Sequence, residues 1–304
     1  MQKKSIYILL AAVLIALSGL IIWRFQSHNN SKPSLIKGFD GEHAYSYLEY
    51  QLRLGARTPG SSAHADTIKF IQTELEKNGW SVEIQVTSAM DHPIQNIIAR
   101  RGSGKPIRML GAHYDSRLRA DQDKDLQNRA LPVPGANDGA SGVAVLLELS
   151  RVLPKDIKGQ VWLAFFDAED QGEITGWDWI LGSTRMADLL NPLPDEVVVI
   201  DMIGDANLNI YKVSNSNSQL TDQIWDQAKL LGYDQAFIPE TKFSMVDDHL
   251  PFIKKGVPAT DIIDFDYPYW HTTSDTQDKV SQQSLLIIGD TLLHWLISNP
   301  VVPK

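Results

Sequence analysis

The chain has 304 residues, 43 % of them apolar and 21 % charged, with no cysteine and a formal net charge of −9. That apolar content excludes a disordered chain, and the acidic balance argues against nucleic-acid binding, which needs a basic surface. The absence of cysteine excludes disulfides, thiolate metal sites, a cysteine nucleophile and a lipid-modified N-terminal cysteine.

The first element is an apolar run from Ile6 to Trp23, preceded by Lys3 and Lys4 and closed by Arg24. As a helix it would span about 27 Å, close to the hydrocarbon thickness of a bilayer. It shows no polar face, which argues against a core helix. No small-x-small cleavage site follows it, so residues 1–26 read as an uncleaved transmembrane signal-anchor, with a cleaved signal peptide as the alternative. Either reading places the remainder outside the cytoplasm, membrane-anchored in the first case and secreted in the second. Residues 27–38 are polar, contain Pro and Gly, and read as a tether. Residues 39–304 form the globular domain.

Within that domain, helical periodicity marks Gly41–Leu54, Ala63–Asn78, Ser141–Leu153, Ser183–Leu190, Leu220–Leu231 and Gln282–Ser298. Strand-like runs occur at Ser81–Thr87, Asn96–Arg101, Ile107–Ala112, Gln160–Phe166, Val197–Ile203 and Ala259–Ile263. The fourth and fifth runs are apolar almost throughout, as strands covered on both faces are. The alternation predicts a three-layer α/β/α sandwich around a mixed, mostly parallel sheet. Ligands of such sheets bind beyond the carboxyl ends of the strands.

Chemistry-bearing residues collect at those ends. His113 and Asp115 follow the third run, Asp167, Glu169 and Asp170 the fourth, and Asp201 lies in the fifth. The sixth leads into an aromatic loop ending in Trp270 and His271, and Gly135-Ala136-Asn137-Asp138-Gly139 precedes the helix at Ser141. Singly, each has an ordinary explanation. An Asp before a helix is commonly an N-cap, and a His at a strand end is more often hydrogen-bonded than ligating. Asp201 is harder to dismiss, because an unpaired buried carboxylate is costly. Together, converging carboxylates repel unless a cation balances them. Oxygen and imidazole donors without thiolate suit a catalytic zinc with an open position. An acid beside a ligand, as in Glu169-Asp170, lets one hold metal while the other moves protons. The set predicts a zinc-dependent acyl-transfer or amide-cleaving site.

These motifs resemble the α/β zinc aminopeptidases and, within them, the bacterial glutaminyl cyclases, over about Gly41 to Ile297. The peptidase-wide features are His113-x-Asp115, Gly135-Ala136-Asn137-Asp138 with Ala140-Ser141-Gly142, the acidic pair, Asp201-Met202-Ile203-Gly204, and His271. Asp247-Asp248-His249-Leu250-Pro251-Phe252, Trp270 before His271, and a Trp between Asp170 and Leu181-Gly182-Ser183 resemble the cyclases. The resemblance implies one zinc held by Asp138, Asp170 and His271, Glu169 as general acid/base, and Asp201 with Asp247 as a hydrogen-bonded acidic pair. It implies that Trp270, with Trp177 or Trp179, walls the substrate pocket. Asp170 stands where the animal enzymes have Glu, one methylene longer. The expected reaction is cyclisation of an N-terminal Gln of peptides or proteins to pyroglutamate with release of ammonia. The rival enzyme is an extracytoplasmic di-zinc aminopeptidase, in which Asp138 bridges two zincs, Asp170 and His271 hold one, and His113 and Asp201 hold the other. A non-enzymatic, membrane-anchored binding domain is the third reading, disfavoured by the complete acidic set.

Overall fold

The computed structural model describes residues 38–298. The apolar run at 6–23 and nearly all of the tether lie outside the described residues, and among those described no helix is long and apolar enough to cross a membrane. Helix α1 (Gly41–Leu54) starts where the Asp40 carboxylate accepts from His43 N–H, and α2 (Ser62–Lys77) where Ser61 Oγ accepts from His64 N–H. Both are side-chain N-caps of the ordinary kind. Strands β1 (Ser81–Ala89) and β2 (His92–Ser103) form a hairpin. It is longer than its periodicity predicts, because Met90 and Asp91 both take positive φ, 48° and 66°, and turn the chain within two residues. That is the backbone of a tight hairpin turn, which usually announces itself through Asn or Gly.

Strands β3 (Ile107–His113), β4 (Gly159–Phe166) and β5 (Glu196–Asp201) follow, with α3 (Ala140–Val152) between β3 and β4 and α4 (Leu181–Leu189) between β4 and β5. A small parallel pair, β6 (Ile210–Val213) and β7 (Phe237–Phe243), flanks α5 (Ser218–Leu230). Both strands are short and β7 is exposed over its middle, so the pair lacks the alternation that reveals a strand. The chain ends with α6 (Leu250–Lys254), β8 (Ala259–Ile263) and α7 (Gln282–Ser298).

Among the described residues, one six-stranded sheet has the order β1-β2-β4-β3-β5-β8. The first two pairings are antiparallel, and β4, β3, β5 and β8 run parallel. Side chains divide strictly by period two. Leu110, Ala112, Leu163, Phe165, Val198 and Ile200 face the core shared with α1, α2, α3, α5 and α7. Met109, Trp162, Ala164, Phe166, Val197 and Val199 face the core shared with α4 and α6. The result is the expected three-layer sandwich, with the carboxyl ends of four parallel strands along one edge.

The fifth strand stops at Asp201 rather than Ile203, because Met202 turns to φ 46°. Its carbonyl and the Gly204 N–H are taken by the Asn137 side chain at 3.1 and 2.7 Å, so they leave the sheet ladder. Helix α3 comes unusually close to the sheet here: a Cβ on Gly142 would lie 2.8 Å from both Ala112 Cβ and Ile200 O. Gly142→Ala should therefore lift the start of α3 and cost about 1–3 kcal/mol. Denaturant unfolding checks this, through a lower midpoint at unchanged slope.

Candidate metal centre and active site

Four parallel strands end along one edge, and either their last residues or the loops that follow them supply the site. His113 ends β3 and is buried, with Nε2 3.1 Å from Asp138 Oδ1 and 3.1 Å from Asp201 Oδ1. A Cβ on Gly139 would lie 2.6 Å from the His113 ring, so only glycine lets the imidazole rest on this backbone. Helix α3 is capped at Gly139 with no side-chain bond. Asp138 is therefore not an N-cap, and its carboxylate faces the site.

The loop carrying Asp138 is held from outside. Asp275, four residues after His271, accepts the N–H groups of Asn137 and Asp138 at 2.9 and 3.2 Å and the Tyr267 hydroxyl at 2.7 Å. Buried Arg57 donates to the carbonyls of Tyr114, Pro134 and Gly135 at 3.0, 3.0 and 2.5 Å. The acidic loop after β4 hangs from Asp115, which accepts Glu169 N–H at 3.1 Å, Asp170 N–H at 3.3 Å and the Gln171 amide at 2.9 Å. His271 Nε2 lies 2.7 Å from Asp170 Oδ1 and 3.8 Å from Asp138 Oδ2.

Two donor sets share Asp138: Asp138, Asp170 and His271, and His113, Asp138 and Asp201, the donor atoms in each lying within 4.8 Å of one another. Asp138 Oδ2 and Asp170 Oδ2 are buried with no hydrogen-bond partner. Two orphaned carboxylate oxygens beside an imidazole fit a divalent cation, and the donor types suit zinc.

A cavity of about 170 Å³ adjoins this set. Asp138, Glu169, Asp170, Asp201 and Asp247 supply its polar wall, and Trp179, Trp270 and Phe265 part of its aromatic one. The Trp270 ring stacks on His271 at 3.7 Å, and the Trp179 ring lies 6.0 Å from it at 15°. Trp177 does not line the cavity. Its ring stacks on His92 at 3.5 Å and packs toward Ile94, Ala168 and Leu181, so of the two expected alternatives the structure brings Trp179 to the pocket. Asp248 is fully buried and lies off the cavity lining, its N–H donating to Asp247 Oδ1.

Residues 96–296 match peptidase family M28. The chain belongs to that family. Among M28-like proteins it is similar to a glutaminyl-peptide cyclotransferase-like protein of Bos taurus, 26 % identical over 74 % of this chain and 67 % of the relative. The crystal structure of Tannerella forsythia glutaminyl cyclase is 32 % identical with a TM-score of 0.82, over 87 % of this chain and all of that one. A leucine aminopeptidase precursor from Bacteroides thetaiotaomicron is 29 % identical with a TM-score of 0.83, over 87 % of this chain and 99 % of that one. Relatives thus fall on both the transferase and the peptidase side of the family, and the side chains at the site must decide between them.

Electrostatics follow from burying so many acids together. Glu169 is pushed well above the usual carboxylate range by burial, with Asp248, Asp247 and Asp170 adding and His113 opposing. Burial and Asp138 raise Asp170 to about 6, while burial and Asp201 raise Asp247 to about 7. Asp138 moves the other way: burial would raise it, but the His113 hydrogen bond and the charges of His113 and His271 hold it low.

These shifts have a sign in stability. Asp247 and Asp264, each raised from 3.8 to about 7 chiefly by burial, keep protons in the folded chain that the unfolded chain releases. Asp170, raised to about 6, and Asp275, raised to about 7, act in the same direction. Asp115 and Asp138 are shifted down, so their opposite contribution acts only below the ordinary carboxylate value. His249, lowered by burial to about 4, opposes within the window but is outnumbered. The metal-free protein should therefore lose stability as pH rises from about 4 to about 7. Thermal melts across that window check it; a midpoint that climbs with pH would contradict the assignment.

Proposed function

We propose that this protein is a glutaminyl-peptide cyclotransferase that converts the N-terminal Gln of peptides to pyroglutamate, assisted by one zinc held by Asp138, Asp170 and His271. The observation that carries this reading is the pocket. At about 170 Å³ it is smaller than cavities for drug-sized ligands and suits a single side chain. Tryptophans wall it, and Glu169 and Asp247 line it beside the donor set.

The reaction needs no external nucleophile. The α-amine of Gln attacks its own side-chain amide carbon, so both reacting groups arrive in one residue. The new N–Cδ bond closes a five-membered lactam, the Cδ–Nε bond breaks, and ammonia leaves. When bound, zinc supplies Lewis-acid polarisation of the amide carbonyl. Glu169 takes a proton from the attacking amine and returns it to the departing nitrogen. Its raised affinity for protons, caused by burial among acids, brings it toward the range where one group serves as both base and acid. Asp247 hydrogen-bonds the leaving amide nitrogen. Asp201, expected to pair with Asp247, instead holds the His113 imidazole at 3.1 Å, while Asp247 Oδ1 accepts the Asp248 N–H. Trp179 and Trp270 exclude water, which the reaction does not consume.

One observation favours the di-zinc aminopeptidase as second reading: His113, Asp138 and Asp201 form another buried donor set sharing Asp138. Against it, the buried carboxylate oxygens of the two sets that lack a hydrogen-bond partner belong to Asp138 and Asp170.

Incubating the purified domain and zinc with a Gln-initiated peptide separates the two. Cyclisation removes about 17 Da, the mass of ammonia, whereas loss of the whole first residue means aminopeptidase. Glu169→Gln should keep its zinc and lose about 10²–10⁴-fold in kcat; near-normal turnover would remove Glu169 from its role. The domain acts outside the cytoplasm in this reading, on the strength of the apolar run at 6–23. Deleting residues 1–26 should move the protein from the membrane fraction to the soluble one.

A further inference from the structure

We infer that Arg117, together with Asp121, is a positioning pair that fixes Asp170, His271 and the pocket wall Trp179 relative to one another. The inference rests on the reading that Asp170 and His271 hold zinc. Arg117 lies in the loop after β3 and is 1 % exposed. Its Nε and Nη2 donate to Asp121 Oδ1 and Oδ2 at 2.8 and 2.7 Å, a bidentate fork. Nη1 donates to the Asp170 carbonyl at 2.9 Å and Nη2 to the Gly172 carbonyl at 3.0 Å. Every one of these acceptors belongs to the loop bearing Asp170 or to the carboxylate facing His271.

The connections then reach the site itself. Asp121 Oδ1 stands 3.6 Å from His271 Nδ1, the ring nitrogen remote from Asp170. At 3.6 Å the carboxylate acts on the imidazole through its charge, which favours a proton on Nδ1 and leaves Nε2 free as a ligand. Gln122 N–H donates to the His271 carbonyl at 3.2 Å, tying the same loop to the same residue. The guanidinium also lies 5.0 Å from the Trp179 ring centroid. That ring packs on Gly172, where a Cβ would fall 2.0 Å from it, so Arg117 holds both the backbone beneath the indole and the indole itself. A lysine could not do this, because a single ammonium has no planar fork for four acceptor atoms on three residues.

The test uses Asp121→Asn and Arg117→Met in the domain, with zinc affinity read by competition against a chromogenic chelator and kinetics read at saturating zinc. Asp121→Asn should weaken zinc binding about 10-fold or more, with KM for a Gln-initiated peptide close to that of the parent. Arg117→Met should weaken zinc binding and also raise KM about 10-fold, because Trp179 loses its support. A merely structural role would lower the melting temperature without this split between zinc affinity and KM. Folded variants with zinc affinity and KM within about twofold of the parent overturn the inference. If Arg117→Met does not fold, Asp121→Asn decides alone. A parent that binds zinc but releases no ammonia refutes the cyclase reading and leaves the zinc comparison valid, while a parent that binds no zinc overturns both.

Discussion

Asp138 stands where two groups of acids and imidazoles meet, and most of the loop architecture follows from keeping it there. Its carboxylate is buried between His113 and His271, with Asp170 and Asp201 close by. Several carboxylates at this density cannot all be ionised in a low-dielectric interior without compensation. The fold answers with imidazoles, with the buried guanidinium groups of Arg57 and Arg117, and with oxygens left free for a cation. Burial displaces Glu169, Asp170 and Asp201 upward, while bonds to the His113 imidazole hold Asp138 and Asp115 low.

The sheet makes this concentration of charge possible. Parallel strands covered on both faces end together, so four segments distant in sequence reach one edge without long loops of their own. Small residues then remove the space between them. Gly139 allows an imidazole against the backbone, and Gly142 brings α3 onto the strand that ends in Asp201. The Asp and His side chains of the two donor sets are all buried.

Much of this was legible in the sequence, and the reason is periodicity. Apolar strands followed at once by His, Asp or Glu marked the edge of the sheet, and α1, β8 and α7 fall where their patterns put them. What escaped were residues whose partners are backbone groups far along the chain. Asp275 reaches Asn137 across 138 positions, and Arg57 reaches Gly135 across 78. No local pattern marks an Arg or Asp for such a role, although the tally of orphan amides in a Gly-rich loop calls for acceptors from elsewhere. Trp177 and Trp179 could not be separated either. They lie two positions apart in an irregular loop, and only the stacking of one on His92 and the seat of the other on Gly172 tell them apart. The β1–β2 turn hid for the converse reason, since Met90 adopts a left-handed conformation that its side chain does not advertise and Asp91 is followed by no Gly.

The size of the cavity carries a consequence of its own. A space of about 170 Å³, lined by Trp179, Trp270 and buried acids, has about the size of the first residue of a chain. In the proposed reaction the residues after the first would lie outside this space, and the exposed side chain of Val246 is part of its lining. A site of that size would recognise a chain end rather than a sequence, and on the proposed function the reach of a protein's N-terminus beyond its own fold would decide whether it is a substrate.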